Sequence, residues 1–144
     1  MQLNQCINFL LNKTQNAVLI HFRNKLDEFN VTPAQYAVLK CLWSEDHISP
    51  KQISQEIWLD ASTITGILDR LESKGLVKRM PSNTDRRTLI IALTDEGHAL
   101  QADIDRIILE ANHDVLKDLS PDEQTQLKSY LERVCETCHN IKGD

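Results

Sequence analysis

The hydrophobic period of this chain changes twice, and the segment between the changes constrains the fold more than any other feature. Up to Gly75 the apolar residues recur at three- and four-residue spacing, as in a helix with one buried face. Leu76-Val77-Lys78-Arg79-Met80 and Thr88-Leu89-Ile90-Ile91-Ala92-Leu93 are short and strand-like. Between them lies the polar Pro81-Ser82-Asn83-Thr84-Asp85-Arg86-Arg87, which contains turn formers. From Thr94 the helical period returns. A single hairpin set inside a helical chain predicts a mostly α fold with one two-stranded sheet.

Local start and stop signals divide the helical parts. Residues 5–29 read as one helix. Thr32-Pro33 caps and opens a second, to about Ser44. Ser49-Pro50 opens a short third helix to about Trp58, and Asp60 caps a fourth with the apolar stripe Ile64, Ile67, Leu68 and Leu71. Gly75 stands where a helix-ending glycine belongs. One long helix is expected from Thr94 to about Asp118, and Ser120-Pro121-Asp122-Glu123 opens the last. That last helix carries the stripe Leu127, Tyr130, Leu131, Val134, Cys135, Cys138 and Ile141.

The two short helices meet at Leu59-Asp60-Ala61, and the hairpin follows where a wing would be. The predicted fold is therefore a winged helix-turn-helix with a two-stranded wing. The terminal helices, whose apolar faces this unit cannot bury, form a dimerisation layer. The chain holds 144 residues, enough for one domain with its own core. No apolar run approaches a membrane span, and no basic leader precedes the first apolar stretch, so a cytoplasmic protein is expected.

The net charge is −5, which by itself argues against nucleic acid. Its distribution points the other way. Residues 60–94 carry Arg70, Lys74, Lys78, Arg79, Arg86 and Arg87 against Asp60, Asp69, Glu72 and Asp85, whereas the residues after 94 are strongly acidic. A basic segment on an acidic body suits a small, oriented DNA-binding face. On the fourth helix Ala61, Ser62, Thr63, Thr65 and Gly66 are small, so base edges can come close, and hydroxyls reach bases or phosphates. Arg70 and Lys74, on later turns, suit phosphate contacts. Asp85-Arg86-Arg87 places two guanidinium groups beside a carboxylate at the hairpin tip, suited to a narrow minor groove. The blander alternatives are a solvated small-residue helix face and a solvated charged turn. A basic wing directly after a helix-turn-helix favours DNA.

Leu71-Glu72-Ser73-Lys74-Gly75-Leu76-Val77-Lys78-Arg79, Asp85-Arg86-Arg87 and Leu93-Thr94-Asp95-Glu96-Gly97, with the helix start Thr32-Pro33-Ala34-Gln35-Tyr36, resemble the MarR family of multiple antibiotic resistance regulators. The likeness spans essentially the whole chain. It implies a single domain over 1–144, with the winged unit at 32–97 and dimerisation helices at 1–31 and 98–144. It also implies a homodimeric transcription factor, commonly a repressor, on a palindromic double-stranded DNA operator. By position, Ser62, Thr63 and Thr65 would face the major groove. Asp85 would orient Arg87 into the minor groove, with Arg86 at the wing.

Family effectors, often phenolic or aromatic carboxylates, lodge between the dimerisation helices and the winged unit. His21, Phe22, Tyr36, Lys40 and Trp43 are the candidates there, against the plainer reading of core or interface residues. Cys135 and Cys138 lie one helical turn apart on the apolar stripe, and Cys6 is on the first helix. Packing is the plain reading of these thiols, and a redox switch is the sharper one. Peroxide-sensing members carry a reactive cysteine near the start of the first helix with tyrosine partners. Cys6 lies near that place, but Pro33 follows Thr32 and the first helix has Phe22 and no Tyr, which counts against peroxide sensing.

Cys135-Glu136-Thr137-Cys138-His139 matches the haem attachment pattern, which would require export, so no haem or other cofactor is expected. His and Cys spacings give no metal motif. No phosphate loop, triad order or carboxylate pair suggests an enzyme. A winged module that binds only protein is the remaining alternative, and the small-residue helix face with its basic wing argues against it.

Overall fold

The computed structural model describes residues 1–85 and 87–142. Arg86, expected at the wing, lies outside the described residues. Among the described residues, seven α-helices and one antiparallel hairpin follow in the order α1 (Ile7–Leu26), α2 (Pro33–Ser44), α3 (Pro50–Ile57), α4 (Ala61–Ser73), β1 (Val77–Pro81), β2 (Leu89–Leu93), α5 (Asp95–Ala99), α6 (Gln101–Leu116) and α7 (Pro121–Lys142). The chain divides into two compact units, Met1–Ile108 and the part from Leu109 onward.

Within the first unit, the start signals work as caps. Thr32 and Ser49 each accept the N–H of the residue three on, Gln35 and Gln52, whose side chains reach back to the cap N–H. Each start therefore satisfies two helix-end donors at once. Asp60 and Thr94 accept from the N–H of Thr63 and Gly97. α4 stops as predicted. Gly75 takes the left-handed φ of +74°, its N–H bonds to Glu72 O, and Leu76 N–H bonds to Leu71 O.

The core joins Leu26 of α1, Val38, Leu39 and Leu42 of α2, Ile53 of α3, Ile64, Leu68 and Leu71 of α4, Ile91 of β2 and Ile104 of α6. Each is less than 2% exposed, and each contributes about 1.5–3 kcal/mol by leaving water. Buried Gln35 is satisfied by Thr32 and by the Lys74 ammonium. The hairpin pairs Val77 with Leu93 through Pro81 with Leu89. Ile48, in the α2–α3 connection, adds a bridge to Ile91 with hydrogen bonds in both directions. Asp46 also accepts the N–H of Leu93 at 2.9 Å, and His98 Nε2 lies 3.3 Å from the same carboxylate.

Two helices differ from the sequence reading. The first starts at Ile7 and ends at Leu26, flanked by the 3-10 turns Leu3–Gln5 and Asp27–Phe29. The helix expected from Thr94 to about Asp118 is broken at Leu100 into α5 and α6. At that break the Gly97 carbonyl accepts the Trp43 indole N–H at 3.0 Å, a contact 54 residues distant in sequence. Gly97 is itself packed so closely that a Cβ there would stand 2.2 Å from Leu76 O.

In the second unit, Ser120 and Glu123 cap α7 reciprocally. Gln124 also donates to the carbonyls of Leu116 and Leu119, closing the turn before the helix. Leu127, Tyr130, Leu131, Val134 and Ile141 of α7 remain exposed, as do Ile7, Leu10, Leu11 and Ile20 of α1. Among the described residues no helix is long and apolar enough to cross a membrane.

Candidate nucleic-acid interface

The helix-turn-helix is α3 and α4, joined by Trp58, Leu59 and Asp60. Ser54 Oγ donates to Leu59 O and ties the turn to α3. Asp60 then sets the start of α4. Its Oδ1 accepts the Thr63 N–H and the Ser62 hydroxyl, each at 2.8 Å. Those bonds, the Thr63 N–H first, hold the Asp60 carboxyl below its ordinary pKa. A negative charge on the first turn also complements the helix dipole.

Ala61, Ser62, Thr63, Thr65 and Gly66 are all exposed, so the expected small-residue face exists as a surface. The Thr65 hydroxyl donates to Ala61 O at 2.9 Å, which leaves its methyl and its acceptor lone pairs for outside contacts. Gly66 is the informative member. A Cβ there would meet nothing within 4 Å. The fold does not need a glycine at this point, and glycine inside a helix costs about 1 kcal/mol relative to alanine.

The basic residues divide into two groups. Arg79 bonds Asp69 at 2.7 Å and Glu72 at 3.0 Å, which fastens the wing root to α4. Lys74 donates to Asn30 O and to Gln35 Oε1, so its ammonium already bonds two acceptors of the fold. Burial, and then the nearby Arg70, push its pKa down. Arg70, Lys78 and Arg87 are exposed.

At the wing tip, Asp85 Oδ1 accepts the backbone N–H of Arg87 at 3.0 Å, and Oδ2 accepts the Thr88 hydroxyl at 3.3 Å. The carboxylate thus shapes the turn that carries Arg87 through its main chain.

The effector candidates His21, Phe22, Tyr36 and Trp43 are half-buried, and Phe22, Tyr36 and Trp43 pack on the core. Lys40 pairs with Asp105 at 2.7 Å, and that bond raises its pKa. Tyr36 and Trp43 approach ring to ring at 6.4 Å, and burial raises the Tyr36 pKa. Cys6 is half-buried at the start of α1, and Cys135 and Cys138 are exposed on α7. Cys41 is buried, and burial pushes its thiol up. Among the described residues, no three His, Cys, Asp or Glu side chains cluster as metal ligands. α3 ends, as expected, at Trp58, whose left-handed backbone, φ 56° and ψ 40°, no residue pattern announces.

Known proteins share this arrangement. Residues 31–89 match the MarR family. The organic hydroperoxide resistance transcriptional regulator of Bacillus subtilis is 33% identical over 142 residues, 96% of this chain and 93% of that protein. A mutant MarR from E. coli complexed with operator DNA superposes with a TM-score of 0.83 at 26% identity, over 89% of this chain and 92% of that one. CouR from Rhodococcus jostii RHA1, bound to p-coumaroyl-CoA, gives 0.81 at 27%, over 93% and 94%. With a regulator's likeness along nearly its whole length, and with the winged helix-turn-helix shared with the operator-bound neighbour, this chain belongs to the MarR family of transcriptional regulators.

Proposed function

We propose that the chain acts as a homodimeric repressor that holds a palindromic operator and leaves it when a small aromatic effector binds. The observation that carries this reading is the exposed apolar face of α7: Leu127, Tyr130, Leu131, Val134 and Ile141. Such a stripe needs a partner surface. A second copy would supply it, together with a second reading helix related by two-fold symmetry. That symmetry fits half-sites about one DNA turn, ~10 bp, apart. Residues 32–97 then read DNA, and residues 1–31 and 98–144 pair the copies, in the cytoplasm where the DNA is.

Ser62, Thr63 and Thr65 contact the major groove in this proposal, Arg70 and Lys74 the phosphates, and Arg86 and Arg87, with Asp85, the wing's groove. For the effector, Tyr36, Lys40 and Trp43 lie along α2, with His21 and Phe22 on α1. Aromatic rings and an ammonium suit an aromatic acid, and the structural neighbour bound to p-coumaroyl-CoA supports that class.

The test is sedimentation together with a gel shift on the DNA upstream of its own gene. Leu131→Glu combined with Val134→Glu should give a monomer that has lost the operator. A folded monomer with full operator affinity would overturn the reading. Titration of the complex with aromatic acids and their CoA thioesters tests release.

A second reading is thiol-based control through Cys6, Cys135 or Cys138. Exposure of Cys135 and Cys138 favours it, as does the relative named for organic hydroperoxide resistance. A disulfide between those two would strain a regular helix, so a link involving Cys6 is the easier form. If an organic hydroperoxide releases the parent from DNA but not Cys6→Ser or Cys135→Ser, thiol control replaces the effector reading.

A further inference from the structure

Cys135 and Cys138 are free and exposed, and α7 runs unbroken past both from Pro121 to Lys142. Residues three apart on a helix are neighbours on one face, with Cβ atoms about 5–6 Å apart. A disulfide needs its Cβ atoms about 3.5–4.5 Å apart. The two thiols therefore stand side by side, yet too far apart for a direct sulfur–sulfur bond in an intact helix. A single atom set between the sulfurs puts two bonds where a disulfide has one. It closes the same gap while the helix stays regular, so the pair suits a one-atom bridge.

The surroundings say which atom. Thiols are soft ligands. Among the described residues no third His, Cys, Asp or Glu joins the pair as a metal-ligand group, so zinc, which takes four ligands, is not served. A trivalent arsenic that already carries one organic group has two bonds left to make, and two thiols complete it. Room for the organic group lies alongside. Tyr130, Arg133, Val134, Thr137 and Cys138 line a cavity of about 370 Å³. The Arg133 guanidinium stands over the Tyr130 ring at 5.8 Å and steadies it, and Val134 adds a second apolar wall.

We propose that Cys135 and Cys138 form a capture site for monosubstituted trivalent arsenicals. The two As–O bonds to hydroxyl in the hydrated arsenical break, and two As–S bonds form. Each hydroxyl leaves as water with the proton of one thiol. Arsenic stays trivalent, so the step needs neither oxidant nor reductant. This goes beyond the DNA-binding and effector readings and does not depend on them.

The experiment treats the native, reduced protein with stoichiometric phenylarsine oxide and reads the adduct by mass spectrometry. One adduct per chain is expected, on the tryptic peptide 134–142 that holds both cysteines. It should survive excess monothiol and be removed by a dithiol. Closing the second bond within one molecule raises the apparent affinity by ~10²–10⁴. Cys135→Ser and Cys138→Ser should therefore each hold the arsenical at least a hundredfold less tightly, and Cys6→Ser should hold it as the parent does. Thr137→Cys added to Cys138→Ser puts the second thiol two residues from Cys135, on another face, and should not restore capture. An adduct at Cys6 or Cys41 instead, or parental affinity in either single variant, overturns the proposal. Capture restored by Thr137→Cys overturns the helical geometry on which it rests. An adduct that forms only in urea also overturns it, because the pair is then covered in the native protein, while the proposed homodimer would stand.

Discussion

Asp46 Oδ1 accepts the backbone N–H of Leu93 at 2.9 Å, across 47 residues of sequence. The same oxygen takes the N–H of His47, and the other lies within 3.5 Å of both the His47 and His98 imidazoles. One carboxylate therefore ties the α2–α3 connection to the root of the wing and to α5. Asp46→Ala leaves the Leu93 N–H, part of a residue 5% exposed, without its acceptor. The expected cost is about 1–3 kcal/mol in denaturant unfolding, with faster amide exchange at Leu93. An unchanged unfolding midpoint would show that the tie contributes nothing.

At the wing tip, Arg87→Ala should weaken operator binding by about 1–3 kcal/mol and reduce the salt slope by about one. Asp85→Ala should cause part of the same loss with a nearly unchanged slope, since it loosens the turn but keeps the guanidinium. Equal binding by Arg87→Ala and the parent at every salt concentration would remove the wing from the interface.

Gly66→Ala separates fold from function on α4. With open space where the Cβ would stand, the substitution should stabilise the helix by about 0.5–1 kcal/mol. If DNA approaches this face closely, operator affinity should fall even as the melting temperature rises. A more stable variant with parental affinity would show that the face is simply solvated.

The cap Asp60 predicts a pH dependence. Its folded-state pKa is depressed, so its contribution to stability is complete above the unfolded carboxyl range, about pH 4. That contribution is lost as pH falls through the lower folded value. Asp60→Ala should melt below the parent at neutral pH, and the two curves should converge in acid. A constant gap down to pH 2 would exclude the carboxylate as the cause.

What could be read in advance was local. Thr32-Pro33, Ser49-Pro50, Asp60, Thr94 and Ser120-Pro121 announce helix starts because a cap and the N–H it satisfies lie within three residues of each other. Gly75 ends α4 for the same reason. The break at Leu100 was hidden because its partner, Trp43, comes from a distant helix. The bonds from Lys74 to Asn30 and Gln35 were hidden likewise, so a lysine that looks like a phosphate contact in sequence also braces the fold. The Asp85–Arg87 spacing identified the pair, but the bond runs to the main chain, which spacing alone does not distinguish from a guanidinium pair. The end of α3 at Trp58 was legible, but its left-handed backbone was not, because nothing in residue type favours that conformation for tryptophan.

The two hydrogen bonds between Ile48 and Ile91 have a mechanical consequence. They make the wing a cantilever clamped near its base to the connection that leads into α3 and on to the reading helix. A load on the wing tip passes into the same connection that leads to α4, so the two DNA contacts of the proposed function would respond as one lever. Release as proposed would then need no unfolding or remodelling of either part. Turning the whole lever by a few degrees would displace its far end from a groove while every bond within it stays intact.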